Sequence, residues 1–427
     1  MKKKIIFCIH NYFYLKHYII DLKKLRKDYE VTILTTNYLV KNSKFEKNYI
    51  LQEIKIENIF FIPFYQRGLE RPMSTILSTH LYLLKLKQQI NFNEFDICVT
   101  DSKFFIWQRI ILEKYVSKKC KKIGIMTGSI ALDLSVFKKL ILGENIENFI
   151  NKLHKLRQYN PEKRVPEKNF FKKIFNIKKR FLDIFFDRKI LSYLFQSQNF
   201  DYKEKDFKIL ETDDFDYKVL FHYSNFIFWR KIYKKKENVI FAKHANNCKC
   251  NNSQKNKFLF LSSMLWGRNK EEISEQIKSI INFFKTKNND SSNKVEIHIK
   301  HHPEESDQII ENINRELKKN ITEKIKIVFV DKSKLLNDIA CDYSIAFGMM
   351  STALVDVKNA CKFIKVYCLK SLSIKEYGNE YFLKLFNENI NFYDDIKDLP
   401  DENLQKYQRY IQNYDKIDFS DFLKKFN

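Results

Sequence analysis

The stretches VEIHIKHHPEE (residues 295–305) and YSIAFGMMSTALVD (residues 343–356) are built alike, and their reading decides the fold. Each opens as a short run rich in β-branched and aromatic residues, the pattern of a buried strand, and each closes in residues that end a strand. In the first, Pro303 stops the strand and fixes the backbone of the loop. In the second, a strand reaching Phe347 meets Gly348, which permits a tight turn, and Ser351 or Thr352 then opens a helix. Free N–H groups at a helix start, two hydroxyls and the helix dipole make an anion site, although a Ser/Thr pair is equally an ordinary N-cap. Strand-to-loop junctions of parallel sheets are where such folds bind ligands.

Outward from these stretches the chain alternates. Before them lie a strand at Phe258–Leu261 and a helix at about 270–285. Between and after them come a helix near 307–318, strands at Ile325–Val330 and Phe363–Cys368, and a short helix opened by Ser333. The first third repeats the rhythm. Strands are expected at Ile5–Ile9, Val31–Thr35, Ile59–Pro63, Ile97–Thr100 and Ile123–Met126, with helices up to about Lys27, near Thr75–Ile90 and near 104–117. The β-α-β order predicts an α/β fold with mostly parallel sheets.

Residues 150–240 break the rhythm. They form a basic, aromatic insertion in which 170–186 reads as a basic amphipathic helix, suited either to an anionic bilayer or to packing on its own domain. The polar segment Lys243–Lys257 reads as a linker. The expected organisation is an N-terminal domain over 1–242, a C-terminal domain over 256–401 and a helical tail over 402–427.

With 427 residues and 44% apolar content, the chain is long enough for two cores and is no disordered polymer. The net charge of +25 admits nucleic acid, an anionic membrane or an anionic small molecule as partner. A general bias toward Lys, Asn, Phe and Ile explains part of it. No RNA-binding signature is visible, so no nucleic-acid partner is expected. The eight cysteines are scattered and read as small buried hydrophobes in a reducing compartment rather than as a disulfide framework. Cys248 and Cys250 near His244 match no common zinc spacing, and no metal or cofactor site is expected. No apolar run approaches a membrane span of about 20 residues. The N-terminal MKKKIIFCIHNY reads as a first strand rather than a signal peptide. A cytoplasmic protein is expected, free or peripheral on the inner face of the cell membrane.

Lys300 and His302, at the end of one strand, can neutralise a phosphate or protonate a leaving oxygen. Asp356, one turn into the helix after Gly348, can reach ribose hydroxyls or face solvent. Three residues at N-terminal junctions compete as a general base: Asp133 beyond Met126-Thr127-Gly128-Ser129, Asp101 after Ile97–Thr100, and His10 after the first strand. Each also has a plain reading, helix capping for the two aspartates and a satisfied loop histidine for His10.

Lys-x-His-Pro after one strand, followed about fifty residues later by Gly-x-x-Ser-Thr, resembles the bacterial sialyltransferase and polysialyltransferase group with its "HP" and "Ser-Ser/Thr" motifs. It is also similar to CDP-glycerol glycerophosphotransferases. The resemblance covers about residues 256–370. It implies a GT-B architecture, two Rossmann-like domains facing a central cleft, with the donor held by the C-terminal one. It further implies that Lys300, His302, Pro303, Gly348, Ser351 and Thr352 form the donor-phosphate site, with His302 able to assist departure as an acid. Asp356 stands where many GT-B enzymes place a ribose-binding carboxylate. The acidic-acidic-Gly motif that carries the base in such sialyltransferases is absent.

The expected activity is an inverting, metal-independent transfer from a CMP-activated sugar, a sialic-acid-like nonulosonate or Kdo, to a surface glycan or glycolipid acceptor. A CDP-glycerol or alditol-phosphate transferase, a transferase using a UDP- or ADP-sugar, and an inactive glycan-binding module are the rivals.

Overall fold

The computed structural model describes residues 2–10, 12–36, 50–62, 73–101, 106–126, 215–232, 235–245, 257–262, 295–302, 310–312, 314–315, 325–331, 334–348, 352–361, 363–369, 391–393 and 414–426. Asp133, Pro303, Ser351, the 170–186 segment, Cys248 and Cys250 lie outside them, as do Ser333 and the helix expected at 270–285.

The first sheet is built from β1 (Lys3–Ile9), β2 (Tyr29–Thr36), β3 (Ile59–Ile62), β4 (Ile97–Thr100), β5 (Lys121–Met126), β6 (Tyr217–Leu220) and β7 (Val239–Lys243). The second comprises β8 (Lys257–Leu261), β9 (Val295–Lys300), β10 (Ile325–Phe329), β11 (Ile345–Gly348), β12 (Lys365–Leu369) and β13 (Asn391–Tyr393). Finally β14 (Ile417–Asp418) returns to the first sheet, beside β7. The strand orders are β14-β7-β6-β5-β4-β1-β2-β3 and β10-β9-β8-β11-β12-β13, and every pairing among the described strands is parallel. Two Rossmann-like α/β sheets are therefore present, as the β-α-β rhythm predicts.

Helices α1 (Ile19–Leu25), α2 (Met73–Gln89), α3 (Ile106–Ile110), α4 (Tyr223–Ile232), α5 (Leu336–Ile339), α6 (Thr352–Ala360) and α7 (Phe419–Lys424) accompany the strands. Alternate residues of β1 face opposite layers, as strand geometry requires. Ile5, Phe7 and Ile9 pack with α1 and α7, whereas Ile6 and Cys8 pack with α2 and α3. In the second sheet Leu259, Leu261, Ala346, Val366 and Cys368 pack against Leu354, Val355 and Val357 of α6. Burial on both faces explains why these strands read as continuous apolar runs.

Several expectations are corrected. The helix expected to run to about Lys27 opens as a 3-10 stretch, Tyr12–Tyr18, before α1. The helix expected near 104–117 is α3 followed by a π-helical turn at Ile111–Tyr115. Within the stretch said to break the rhythm, β6, α4 and β7 continue it. The signal in β6 is masked by Lys218, a buried lysine whose ammonium lies 3.2 Å from the centre of the Trp229 ring. A cation over an indole face is a stable way to bury that charge. Cys8, Cys98, Cys120, Cys361 and Cys368 are buried thiols, but Cys341 is disulfide-bonded.

The end of the chain closes the first sheet. Tyr29 Oη donates to Leu423 O at 2.8 Å, and Lys424 pairs with Asp28 at 2.9 Å. Buried Asp21, 1% exposed, accepts from His244 (Nδ1, 3.1 Å), from Ala245 N (3.1 Å) and from Ser420 N (3.2 Å). His244 also stacks on Phe221, with ring centres 4.0 Å apart and planes 7° from parallel. One carboxylate thus anchors both the segment leaving the first sheet after β7 and the segment returning to it through β14.

Candidate functional site

In a doubly wound sheet the chain reverses its direction of growth at one point, and a crevice opens beyond the strand ends there. In the first sheet β2 and β3 lie on one side of β1 and β4 to β7 on the other, so the switch falls between β1 and β4. In the second it falls between β8 and β11. Of the described candidates, His10 and Asp101 follow the strands that flank the first switch, Gly348 ends β11 at the second, and Lys300 ends the neighbouring β9.

His10 and Asp101 are the residues next after β1 and β4. Register pairs Cys8 with Thr100, which brings the two junctions side by side although they are 91 residues apart in sequence. Asp101 Oδ2 lies 2.5 Å from His10 Nδ1, and Oδ1 accepts the His10 backbone N–H at 3.1 Å. The side chains are 1% exposed for Asp101 and 21% for His10. Thr36 Oγ1 donates to His10 O at 2.5 Å, and the Tyr14 ring packs on the imidazole with centres 4.7 Å apart. Two residues read as rivals are therefore one dyad. Asp101 holds the tautomer with the proton on Nδ1, which leaves Nε2 as the basic nitrogen.

At the second switch point Lys300 ends β9 and Gly348 ends β11, with β8 between them. Two strand spacings, roughly 10 Å, separate the junctions. Gly348 lies within the strand, not in a turn. A Cβ there would stand 2.6 Å from Leu261 O, so the close approach of β8 is what requires glycine. Lys300 is 9% exposed and its ammonium donates to Asp331 O at 2.9 Å, tying the ends of β9 and β10 together. His301 is buried, stacked on Phe329 with centres 5.8 Å apart, whereas His302 is half-buried. Thr352 is the first residue of α6.

The segments that follow the two switch points meet. His17 Nδ1, in the 3-10 stretch after His10, lies 4.0 Å from Asp356 Oδ2 on α6. Those two side chains line a crevice with His244, Ala245 and Asn359. Burial, then Lys16, His244 and His222, hold His17 well below the ordinary imidazole range. It is neutral near pH 7, so its approach to Asp356 is not an ion pair.

The chain does contain one Asp-x-Asp, Asp214-Phe215-Asp216. Asp216 precedes β6, its Oδ2 accepts from Lys122 N at 2.8 Å, and Phe215 is buried under Gly124. That position is at the N-terminal end of the strands, the end opposite His10. Gln108, which sequence reasoning did not single out, bonds Asp101 from α3. Only its burial and geometry mark it.

The model of the Alpha-2,8-polysialyltransferase (POLYST) family matches residues 19–370. No curated protein matches the sequence. Among solved structures, the chain is similar to CalG4, the calicheamicin glycosyltransferase, at 10% identity over 96% of this chain and 94% of that one, with a TM-score of 0.46. It is also similar to S. aureus MnaA with UDP at 10% identity over 98% and 100%, TM-score 0.45. Acinetobacter baumannii MurG is similar at 8% identity over 95% and 90%, TM-score 0.42.

Proposed function

Because the chain belongs to the alpha-2,8-polysialyltransferase family, and is on that ground a glycosyltransferase, we propose that it moves a sialic-acid-like sugar from a CMP-activated donor to a glycan acceptor, with inversion and without a metal. The observation that carries this reading is the hydrogen-bonded His10–Asp101 pair at the first switch point, with the buried Lys300 ammonium at the strand ends of the second sheet. His10 Nε2 takes the proton of the acceptor hydroxyl as that oxygen attacks the anomeric carbon, and Asp101 stabilises the imidazolium that forms. Attack opposite the leaving CMP inverts the centre. Negative charge grows on the departing phosphate. Lys300, His302, the Ser351 and Thr352 hydroxyls and the start of α6 are positioned along the chain to stabilise it, with Pro303 shaping the loop and Asp356 serving the ribose. Asp133 is the remaining rival for the base. We assign the donor to the second sheet and its helices, and the acceptor to the first. The net charge of +25 favours an anionic partner, a nucleotide phosphate first and an anionic membrane surface second. No helix among the described residues is long and apolar enough to cross a membrane.

The test is thermal stabilisation by CMP, CDP, UDP and ADP. A nucleotide at ~100 times its Kd adds about 2.7 kcal/mol. CMP is expected to stabilise the wild type and His10→Gln but not His302→Ala or Ser351→Ala. A preference for CDP or UDP would replace the donor, and no response to any nucleotide would remove the phosphate site.

A further inference from the structure

Gln108 is completely buried, on α3, seven residues after Asp101. Its amide nitrogen donates twice, to Asp101 Oδ1 at 2.7 Å and to Cys8 O at 2.7 Å. Its amide oxygen is buried and has no hydrogen-bond partner among the described residues. The orientation is not arbitrary. Flipping the amide would press Oε1 against a carboxylate and a carbonyl, two acceptors, so the nitrogen must face them. A buried amide left half unsatisfied is unfavourable, and native structures keep such groups where another demand overrides the penalty. Here the demand comes from Asp101. Its contacts to His10 come from the backbone N–H and from Nδ1, and the Gln108 amide adds a further donor from α3. Cys8 O links the same amide to β1, two residues before His10, so the strand and the carboxylate are set by one side chain.

From this geometry we propose that Gln108 is a positioning residue of the His10–Asp101 dyad. It holds the Asp101 carboxylate at the angle that keeps the His10 proton on Nδ1 and Nε2 basic. The inference rests on His10 being the base. Tyr14 covers one face of the imidazole and His17 lies beyond Tyr14. Tyr18, which feels the Asp101 charge, is kept protonated by burial first and by Asp101 and Asp21 next.

Two isosteric variants test it. Gln108→Met removes the donor at similar volume. Gln108→Glu restores it only while the new carboxyl shares a proton with Asp101, because two adjacent buried carboxylates do not both ionise readily. Turnover is followed as CMP release from CMP-sialic acid with a sialylated acceptor. In parallel, the rate of diethylpyrocarbonate modification of His10, resolved by peptide mass, reports imidazole basicity whatever the donor. Gln108→Met is expected to lose about 10–100-fold in kcat, the range for groups that orient a reacting residue, with donor KM within about twofold. The rate of Gln108→Glu relative to wild type, by either readout, is expected to approach unity at low pH and to fall toward that of Gln108→Met as pH rises. A ratio flat across pH, or a Gln108→Met with wild-type kcat and wild-type labelling, overturns the inference. His10→Gln and Asp101→Asn separate the two levels. Wild-type turnover in both would sink the base assignment itself. Their loss beside an unaffected Gln108→Met would sink only the role of Gln108. If no CMP donor turns over, the donor reading fails and labelling alone decides Gln108.

Discussion

Replacing Asp21 by alanine is expected to destabilise the first sheet and its helices by about 3–5 kcal/mol, the range for breaking a buried charged contact from one side. The magnitude follows from three donors. His244 Nδ1, Ala245 N and Ser420 N all end on this carboxylate, which is 1% exposed. Leaving each donor buried without an acceptor costs about 1–3 kcal/mol, which sets a ceiling of roughly 9 kcal/mol. Relief from burying the carboxylate, and relaxation of the two backbone segments, bring the total down. The oxygens are not equivalent. Both backbone N–H groups go to Oδ1, and only His244 goes to Oδ2. Asp21→Asn keeps Oδ1 as a carbonyl and can donate to His244 if that imidazole carries its proton on Nε2, so it is expected to lose only about 1–2 kcal/mol. Guanidinium unfolding read by tryptophan fluorescence suits the purpose, since Trp107 and Trp229 are both buried in the first sheet's layers. Limited proteolysis adds a local readout at the crossing segments. A loss below about 1 kcal/mol for Asp21→Ala would refute the reasoning, because the three donors would then have other acceptors, and equal losses for alanine and asparagine would refute it because the retained Oδ1 would not serve the two backbone N–H groups.

Two further outcomes are expected. Gly348→Ala forces a Cβ to 2.6 Å from Leu261 O, and a backbone carbonyl cannot swing aside, so β8 and β11 must part; a loss of about 1–3 kcal/mol and weaker nucleotide binding follow, measured by denaturant unfolding and nucleotide titration, and unchanged values in both would contradict the close-approach argument. Acid should weaken the fold through His17: its imidazole is neutral when folded and ordinary when unfolded, so the unfolded chain takes the proton first and stability falls as pH drops below about 6.5, by up to about 1.4 kcal/mol per unit, a slope that His17→Asn should reduce and that denaturation at pH 7.5 and 5.5 would read out.

Legibility tracked how local the signal was. Strands buried on both faces, such as Ile5–Ile9, announce themselves as apolar runs, and the β-α-β order carries the fold class with them. Where burial is achieved by a polar device, the signal fails, as in β6, whose Lys218 is buried over Trp229. Boundaries shifted for a related reason. Gly348 ends its strand one residue later than expected, because hydrogen bonding to neighbouring strands, not side-chain type, sets where a strand stops.

By itself the sequence determined the α/β class, and it offered strand ends near Lys300 and Gly348 and a short list of candidate bases that contained both His10 and Asp101. It did so because strand propensity, turn residues and hydroxyl-rich helix starts are properties of neighbours in the chain. Only the tertiary structure decided that His10 and Asp101 hydrogen-bond to one another, that Gln108 also bonds Asp101, and that Asp21 gathers both crossing segments. Those contacts join residues 91 to 399 positions apart, or, for Gln108 and Asp101, residues seven apart that belong to no motif. Strand order and register bring them within hydrogen-bond distance, and neither is written in any local stretch of sequence.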